Sequence, residues 1–98
     1  MTAIDRLTVW YRAQCNGNWE HSYGVNIGTL DNPGWLVKID LVGTKLESCS
    51  FSRKTHGDSE RSESWIDCKV EEKQFVGAGG TGNLAELLEI FLNWSEGQ

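Results

Sequence analysis

The stretch that decides the fold runs from Trp19 to Leu41 and reads WEHSYGVNIGTLDNPGWLVKIDL. Large apolar and small or polar side chains alternate along both of its halves, as on the two faces of a β-strand. One side carries Trp19, His21, Tyr23, Val25 and Ile27 in the first half, and Trp35, Val37, Ile39 and Leu41 in the second. Between the halves, Asn32-Pro33-Gly34 has the order of Pro and Gly that a type II turn requires. The stretch therefore predicts an antiparallel hairpin.

A helix is predicted on each side of the strand-forming region, because apolar residues there recur at three- and four-residue spacing. The first stripe comprises Ile4, Leu7, Trp10 and Tyr11, and the last comprises Leu84, Leu87, Leu88, Phe91 and Trp94. Asn16-Gly17 can end the first helix just after Cys15. Asn83 can cap the last helix, with Glu86 supporting its first turn.

Three further strands are predicted between the hairpin and the last helix. They lie near Cys49 and Phe51, over Trp65 to Val70, and over Gln74 to Gly77, with Glu71-Glu72 as a tight connection. The polar composition of residues 52–64 predicts an exposed, mobile loop. The fold class is therefore α+β, with an N-terminal helix, an antiparallel meander of about five strands and a C-terminal helix. Both helices should pack on one sheet face.

Length and net charge restrict the number of domains and the kinds of partner that this chain can have. At 98 residues the chain fits a single domain, 1–98. The formal net charge is −5, and no basic cluster exceeds short pieces such as Arg53-Lys54, which argues against a nucleic-acid partner. An acidic surface attracts cationic proteins, so a basic protein partner is allowed. A monomer is favoured over a homodimer.

No membrane partner and no disulfide framework are expected. No apolar run approaches the roughly 18 to 20 residues that cross a bilayer, and residues 1–5 lack the basic start of a secretory signal. The chain as given is therefore expected in the cytoplasm. Cys15, Cys49 and Cys68 are odd in number and widely spaced, which fits reduced thiols.

Residues 15–24, CNGNWEHSYG, concentrate reactive side chains, but no catalytic set, metal site or cofactor is predicted from them. On a strand, Glu20 and His21 would point to opposite faces, with His21 on the core side and Glu20 on the open side. The cysteines and histidines lack the paired spacing of a zinc site. The glycine-rich run 77–83 resembles neither a Walker loop nor a dinucleotide fingerprint, and a flexible strand-to-helix connection is favoured.

Two surfaces compete as the site of partner binding. The first is the sheet face turned away from the helices, where an outward Trp lies among charged groups, as at many interfaces. Its predicted residues are Glu20, Leu36, Lys38, Asp40, Trp65, Asp67 and Lys69. Alternatively, Trp65 is simply covered by the loop 52–64. The second surface is the hairpin tip, and its predicted residues are Trp19, Asp31, Asn32 and Trp35, beside Glu20.

Taken together, these segments resemble the immunity protein 53 family of bacterial polymorphic-toxin systems. The resemblance rests on CNGNWEHSYGVNIGTLDNPGWLVKIDL (residues 15–41), on the preceding WYRAQ (10–14) and on WIDCKVEEKQFVGAGGTGNLAELLEIFLNW (65–94). Its most specific pieces are WEHSYG and LDNPGW, and it is weakest over residues 52–64.

The resemblance implies a non-enzymatic antidote that binds a toxin and blocks it. It does not identify the toxin, although the acidic balance favours a basic target such as a nuclease domain. Two alternatives stay open. One is a small hydrolase or nucleotide-binding protein using Glu20, His21 and the glycine run 77–83. The other is a subunit of a stable complex or homodimer in which the open sheet face is buried.

Overall fold

The computed structural model describes residues 1–58 and 61–98 and contains three helices and five strands within them. In chain order these are α1 (Ala3–Gln14), α2 (Trp19–Ser22), β1 (Val25–Leu30), β2 (Gly34–Asp40), β3 (Lys54–His56), β4 (Ile66–Glu71), β5 (Gln74–Gly79) and α3 (Leu84–Glu96). All strand pairs are antiparallel. The predicted α+β class, with a helix at each end and five antiparallel strands, is confirmed.

The strands lie in the order β1-β2-β5-β4-β3. The sheet thus consists of the hairpin β1-β2 and the three consecutive strands β3-β4-β5, joined by pairing of β2 with β5. This order differs from a meander that follows the chain throughout, because residues 41–53 carry the chain to the far edge of the sheet. Leu41 and Leu46 are fully buried there, so this connection forms part of the core.

The helices cover one face of the sheet. Leu87, Leu88, Phe91 and Leu92 of α3 are buried in one cluster with the inward side chains of the three central strands, among them Val37, Ile39, Cys68 and Phe75. α1 packs chiefly on α3, where the rings of Trp10 and Phe91 meet edge to face at 5.0 Å. Since α1 lies beside α3, the edge strand β1 keeps little helical cover.

The predicted strand starting at Trp19 is wrong over its first residues, because residues 19–22 form the short helix α2. Side-chain acceptors at the start of the helix bind the backbone N–H groups of residues 16–19. The Asn16 Oδ1 accepts from the backbone N–H of Trp19 at 2.9 Å, and the Glu20 carboxylate accepts from the N–H groups of Asn16 and Gly17 at 2.9 and 2.8 Å. Strand pairing begins only at Val25.

The hairpin itself is confirmed, but the type II turn is not. A type II turn requires a positive φ at its glycine, and the positive-φ glycines of the described chain are Gly17, Gly43 and Gly57. Gly34 instead opens β2, opposite Leu30. A Cβ at Gly34 would collide with the carbonyl oxygen of Gly79 on β5, so close strand approach explains the glycine.

The third strand also differs from its prediction, because it comprises Lys54–His56 rather than the residues around Cys49 and Phe51. Phe51 is half-buried and packs edge to face on Phe75 and Trp94, at 5.7 and 5.1 Å. The predicted mobile loop 52–64 therefore contains a strand, and residues 59 and 60 of that loop lie outside the described residues. The later tight connection is Glu72-Lys73, where both residues have positive φ.

Candidate protein-binding surfaces

The face of the sheet turned away from the helices, here called the open face, carries most of the first predicted surface. Strand register places Leu36, Lys38 and Asp40 of β2 on it, together with Asp67 and Lys69 of β4. The inward neighbours of these residues, such as Val37 and Cys68, are buried under α3. Five of the seven residues predicted for this surface therefore share one face.

The centre of the open face belongs to β5, which the sequence reasoning did not include. Val76 lies between Lys38 on one side and Lys69 on the other, and Ala78 lies between Leu36 and Asp67. Gln74 completes the row at the Asp40 end. The alternation about the buried Phe75 could have revealed these outward residues.

Charges on the open face are mostly compensated by neighbours. Arg53 donates two hydrogen bonds to the Asp67 carboxylate, at 2.9 and 2.6 Å, and this pairing holds the pKa of Asp67 below its usual value. Lys69 lies 3.5 Å from Glu71. Lys38 is exposed and has no ion pair within residues 1–58 and 61–98. The open face thus offers a small apolar centre within paired charges.

Trp65 immediately precedes β4 and is half-buried at the end of the sheet. It lines a groove of about 460 Å³ that also includes Asn32 and Pro33 of the hairpin tip, together with Glu63 and Thr81. The structure therefore brings together Trp65 and Asn32, which the sequence assigned to competing surfaces. Asp31 is exposed at the same hairpin tip.

Glu20 and His21 lie on α2, so their predicted strand positions are wrong. Glu20 is not on the open face, and its carboxylate is held by backbone N–H groups. Hydrogen bonds from the backbone of Glu20 itself, Asn16 and Gly17 lower the pKa of this carboxyl group. His21 is exposed rather than on the core side.

The second predicted surface is not contiguous. Trp19 is only 6% exposed, and its indole N–H donates to the carbonyl oxygen of Val42 at 2.7 Å. Trp35 faces the helices and donates to the Thr81 carbonyl oxygen at 2.9 Å. Trp19 and Glu20 precede β1, whereas Asp31 follows it, and six strand residues span roughly 20 Å. Trp19 is therefore a packing residue.

A third concave surface lies between α1 and the start of β1 and is called the α1–β1 cleft. Its volume is about 560 Å³. The walls include Leu7, Thr8 and Tyr11 of α1, Val25 of β1, and the acidic side chains of Glu20 and Asp40. This cleft was not predicted from the sequence, because it depends on α2 replacing the first part of the predicted strand.

The residues of the enzyme alternative are not assembled in one place. The glycine run starts within β5, where Gly79 pairs with Trp35, at the opposite end of β2 from Asp40 and the α1–β1 cleft. Gly80 is buried, its N–H donates to the Trp65 carbonyl oxygen, and a Cβ there would collide with the Glu63 carbonyl oxygen. The start of this connection is therefore closely packed, whereas Thr81 and Gly82 are exposed.

Asn83 occupies the N-cap position of α3 as predicted, but its side chain makes other bonds. Its Nδ2 donates to the Ser64 hydroxyl at 3.2 Å and to the Glu86 carboxylate at 2.9 Å. The same carboxylate group also meets His56 at 2.9 Å, and hydrogen bonds from Asn83 and His56 lower the pKa of Glu86. The start of α3 is thereby tied to the residues before β4.

Within residues 1–58 and 61–98, no three His, Cys, Asp or Glu side chains are grouped so that they could hold a metal ion. Among the described helices, none is long and apolar enough to cross a membrane. Cys15 and Cys49 are free thiols at exposed and half-buried positions, and Cys68 is a free buried thiol.

In a comparison with protein families, the family model for immunity protein 53 matches residues 4–96. The chain belongs to the immunity protein 53 family. No significant match was found among curated proteins or among solved structures. Membership in an immunity protein family indicates an immunity, or antitoxin, role with a toxin protein as partner. The open face, the Trp65 groove and the α1–β1 cleft are the candidate contact surfaces of this family member.

Proposed function

We propose that this immunity protein 53 family member is a non-enzymatic cytoplasmic antidote that binds a cognate toxin domain and blocks it by occlusion. The observation that carries the proposal is the family match, which includes nearly the whole chain. Inhibition by occlusion needs a surface that is complementary to the toxin, and the open face, the Trp65 groove and the α1–β1 cleft are the candidates. The separation of Glu20 and His21 from the glycine run also argues against the enzyme alternative.

The proposed target is a basic toxin domain, such as a nuclease. A net charge of −5 on 98 residues favours encounter with a cationic protein. Nucleases that act on a polyanion carry basic surfaces for the same electrostatic reason. The antidote would then compete with the nucleic-acid substrate for that surface.

The open face and the adjoining Trp65 groove are the proposed main contact. Val76 and Leu36 are half-buried there, and half-buried Trp65 offers an aromatic anchor. Interfaces obtain much of their free energy from a few such anchors inside a polar rim. The paired charges Arg53–Asp67 and Lys69–Glu71 would form that rim.

The test is co-expression of this chain with the C-terminal domain of the toxin encoded by a neighbouring gene, scored by complex formation and by cell survival. A stoichiometric complex with survival supports the antidote role. The absence of both, with both proteins folded, would overturn it. In that case a thermal-shift screen of ligands would test the enzyme alternative, since a ligand that binds the native state raises its stability.

Two substitutions test the proposed surface. Trp65→Ala removes the anchor, and Val76→Arg places a large charged side chain at the centre of the open face. Each should raise the Kd by about 30-fold, which corresponds to about 2 kcal/mol. The control is Val9→Arg, because Val9 is 57% exposed on α1, away from that face. Unchanged affinity in folded Trp65→Ala and Val76→Arg would exclude this surface.

A further inference from the structure

β1 is an uncovered edge of the sheet. Among the described residues it pairs only with β2. The Asp40 N–H donates to the Gly24 carbonyl oxygen at 3.1 Å, and hydrogen-bonded pairs alternate along an antiparallel ladder. The even-numbered residues of β1 therefore bond to β2. Val25, Ile27 and Thr29 direct their backbone N–H and C=O groups away from the sheet.

The opposite edge is much less available. The Gly80 N–H donates to the Trp65 carbonyl oxygen, so the odd-numbered residues of β4 face β5 and the even-numbered ones face β3. Lys54 and His56 are paired with even-numbered residues of β4, which leaves only Thr55 with outward backbone groups. This edge is short and carries charge.

The two edges therefore differ in protection against strand addition. Natural sheets protect exposed edges by short strands, charged side chains, Pro or bulges. The sequence of β1, VNIGTL, contains no charged residue and no Pro over six residues. A bare edge of this length is a template for pairing with another chain.

The α1–β1 cleft gives an added strand something to pack against. Ile27 points to the helix side of the sheet and is 40% exposed, and Tyr11 on α1 is 37% exposed. A strand paired with β1 would continue the sheet alongside α1. Its side chains on that face would cover Ile27 and the cleft wall at Leu7 and Tyr11.

The acidic side chains of the α1–β1 cleft favour a basic segment as the added strand. Lys and Arg side chains compensate acidic side chains elsewhere on the described surface, but neither Glu20 nor Asp40 takes part in such a pair. Glu20 accepts from backbone N–H groups, and Asp40 accepts from the Gly24 N–H and the Gln74 amide, at 3.0 Å each. Neutral donors orient these carboxylates, and no Lys or Arg pairs with them among the described residues, although the His21 side chain also lines the cleft beside Glu20.

We propose that β1 binds an extended, Lys- or Arg-bearing segment of the toxin as a sixth strand, whose basic side chains enter the α1–β1 cleft beside Glu20 and Asp40. This inference rests on the proposed antidote function and adds a second contact to the open face. A second copy of this chain is a poorer occupant, because each copy carries the same net charge of −5.

Amide hydrogen exchange measured by NMR tests the strand directly. The probe is an inactivated variant of the C-terminal toxin domain from the co-expression test. In the free protein, the N–H groups of Val25, Ile27 and Thr29 should exchange rapidly, whereas those of Asn26 and Gly28 are protected by β2. In the complex, protection of the three odd-numbered amides should rise by at least tenfold. Unchanged exchange at these three amides in a stable complex would overturn the proposal.

Two pairs of matched variants test the backbone and charge contributions. Ile27→Pro removes an outward N–H without removing a bond to β2, and Ile27→Ala keeps that N–H. Thr8→Lys places a cation in the cleft wall, and Val9→Lys places one on the outer side of α1. Ile27→Pro should raise the Kd about tenfold relative to Ile27→Ala. Thr8→Lys should raise it several-fold relative to Val9→Lys, with a larger effect at low salt.

The outcomes separate this inference from the antidote role. No complex with the wild-type chain would overturn both. A complex weakened by Trp65→Ala but unaffected by Ile27→Pro and Thr8→Lys would overturn the strand proposal and leave the antidote role intact. Sedimentation of the toxin-free protein as a dimer that Ile27→Pro dissociates would assign the edge to a second copy and also overturn the proposal. Circular dichroism of each variant verifies that it is folded.

Discussion

Replacing Trp19 with Phe should lower the free energy of unfolding by about 2 kcal/mol. The reason is that Trp19 links α2 to the residues that follow β2. Its indole N–H donates to the Val42 carbonyl oxygen at 2.7 Å, and its ring meets those of Trp10 and Tyr11 at 6.1 and 6.0 Å. Phe keeps an aromatic ring at this position and loses the N–H donor.

Two losses make up this magnitude. A neutral hydrogen bond contributes about 1 kcal/mol net to stability. The smaller ring of Phe also buries roughly 40 Å² less apolar surface, which at about 25 cal/mol per Å² is about 1 kcal/mol. The side chain is only 6% exposed, so nearly all of that surface difference is removed from the folded core.

Urea unfolding followed by far-UV circular dichroism measures this change. With an m-value of about 1.5 kcal/mol/M, the midpoint should fall by roughly 1.3 M. Trp10→Phe is the matched control, since Trp10 packs edge to face on Trp19 and Phe91 and no indole hydrogen bond is described for it. Equal losses in the two variants would refute the view that the bond to Val42 anchors α2.

Three further predictions concern the hairpin, the pH dependence of stability and the thiols. Gly34→Ala should cost more than about 2 kcal/mol in thermal or urea unfolding because its Cβ meets the β5 backbone, whereas Gly28→Ala, with open space around its Cβ, should be neutral or slightly stabilising. Hydrogen bonds from the Asn83 amide and the His56 imidazole hold the pKa of Glu86 below its ordinary value in the folded state. Its stabilising contribution is therefore present above about pH 4.5 and is lost as the pH falls through the folded-state pKa, and Glu86→Gln should flatten the acid limb of a stability-pH profile. Burial raises the pKa of Cys68 to about 12, so iodoacetamide at pH 8 should label exposed Cys15 and leave Cys68 unmodified in the native protein, as peptide mass spectrometry would show.

The sequence predicted those elements whose patterns extend over several turns or a whole hairpin. α1 and α3 each carry an apolar stripe, and the alternation from Val25 to Leu41 is long enough to specify β1 and β2. The open face followed from this alternation and from that of residues 65–70, which together placed Leu36, Lys38 and Asp67 on one face. A long periodic pattern shows which side of a helix or strand is buried, and the buried sides determine how the elements pack together.

The wrong predictions concern short segments. In these segments, side-chain hydrogen bonds or pairing with a distant strand decide the structure instead of the local pattern. Trp19, His21 and Tyr23 alternate as a strand would, yet Asn16 and Glu20 supply local acceptors for the backbone, and a helical turn results. β3 has no apolar alternation because all three of its residues are exposed at the sheet edge. β2 pairs with β5 through contacts between residues that lie far apart in the chain. The centre of the open face at Val76 depends on the same pairing, so it was not predicted.

The pairing of β2 with β5 also has a consequence for how fast the protein can fold. The paired residues lie about 40 positions apart along the chain, whereas β1-β2 and β4-β5 are joined by short turns. The two hairpins can therefore form in microseconds from local contacts, but the sheet is complete only after the intervening segment closes into a loop. Folding should be limited by this closure, and substitutions in β2 and β5 should slow folding more than substitutions in the turns. An immunity protein can bind its toxin only after it has folded, so the meeting of these two strands is the step that makes a newly made chain able to bind.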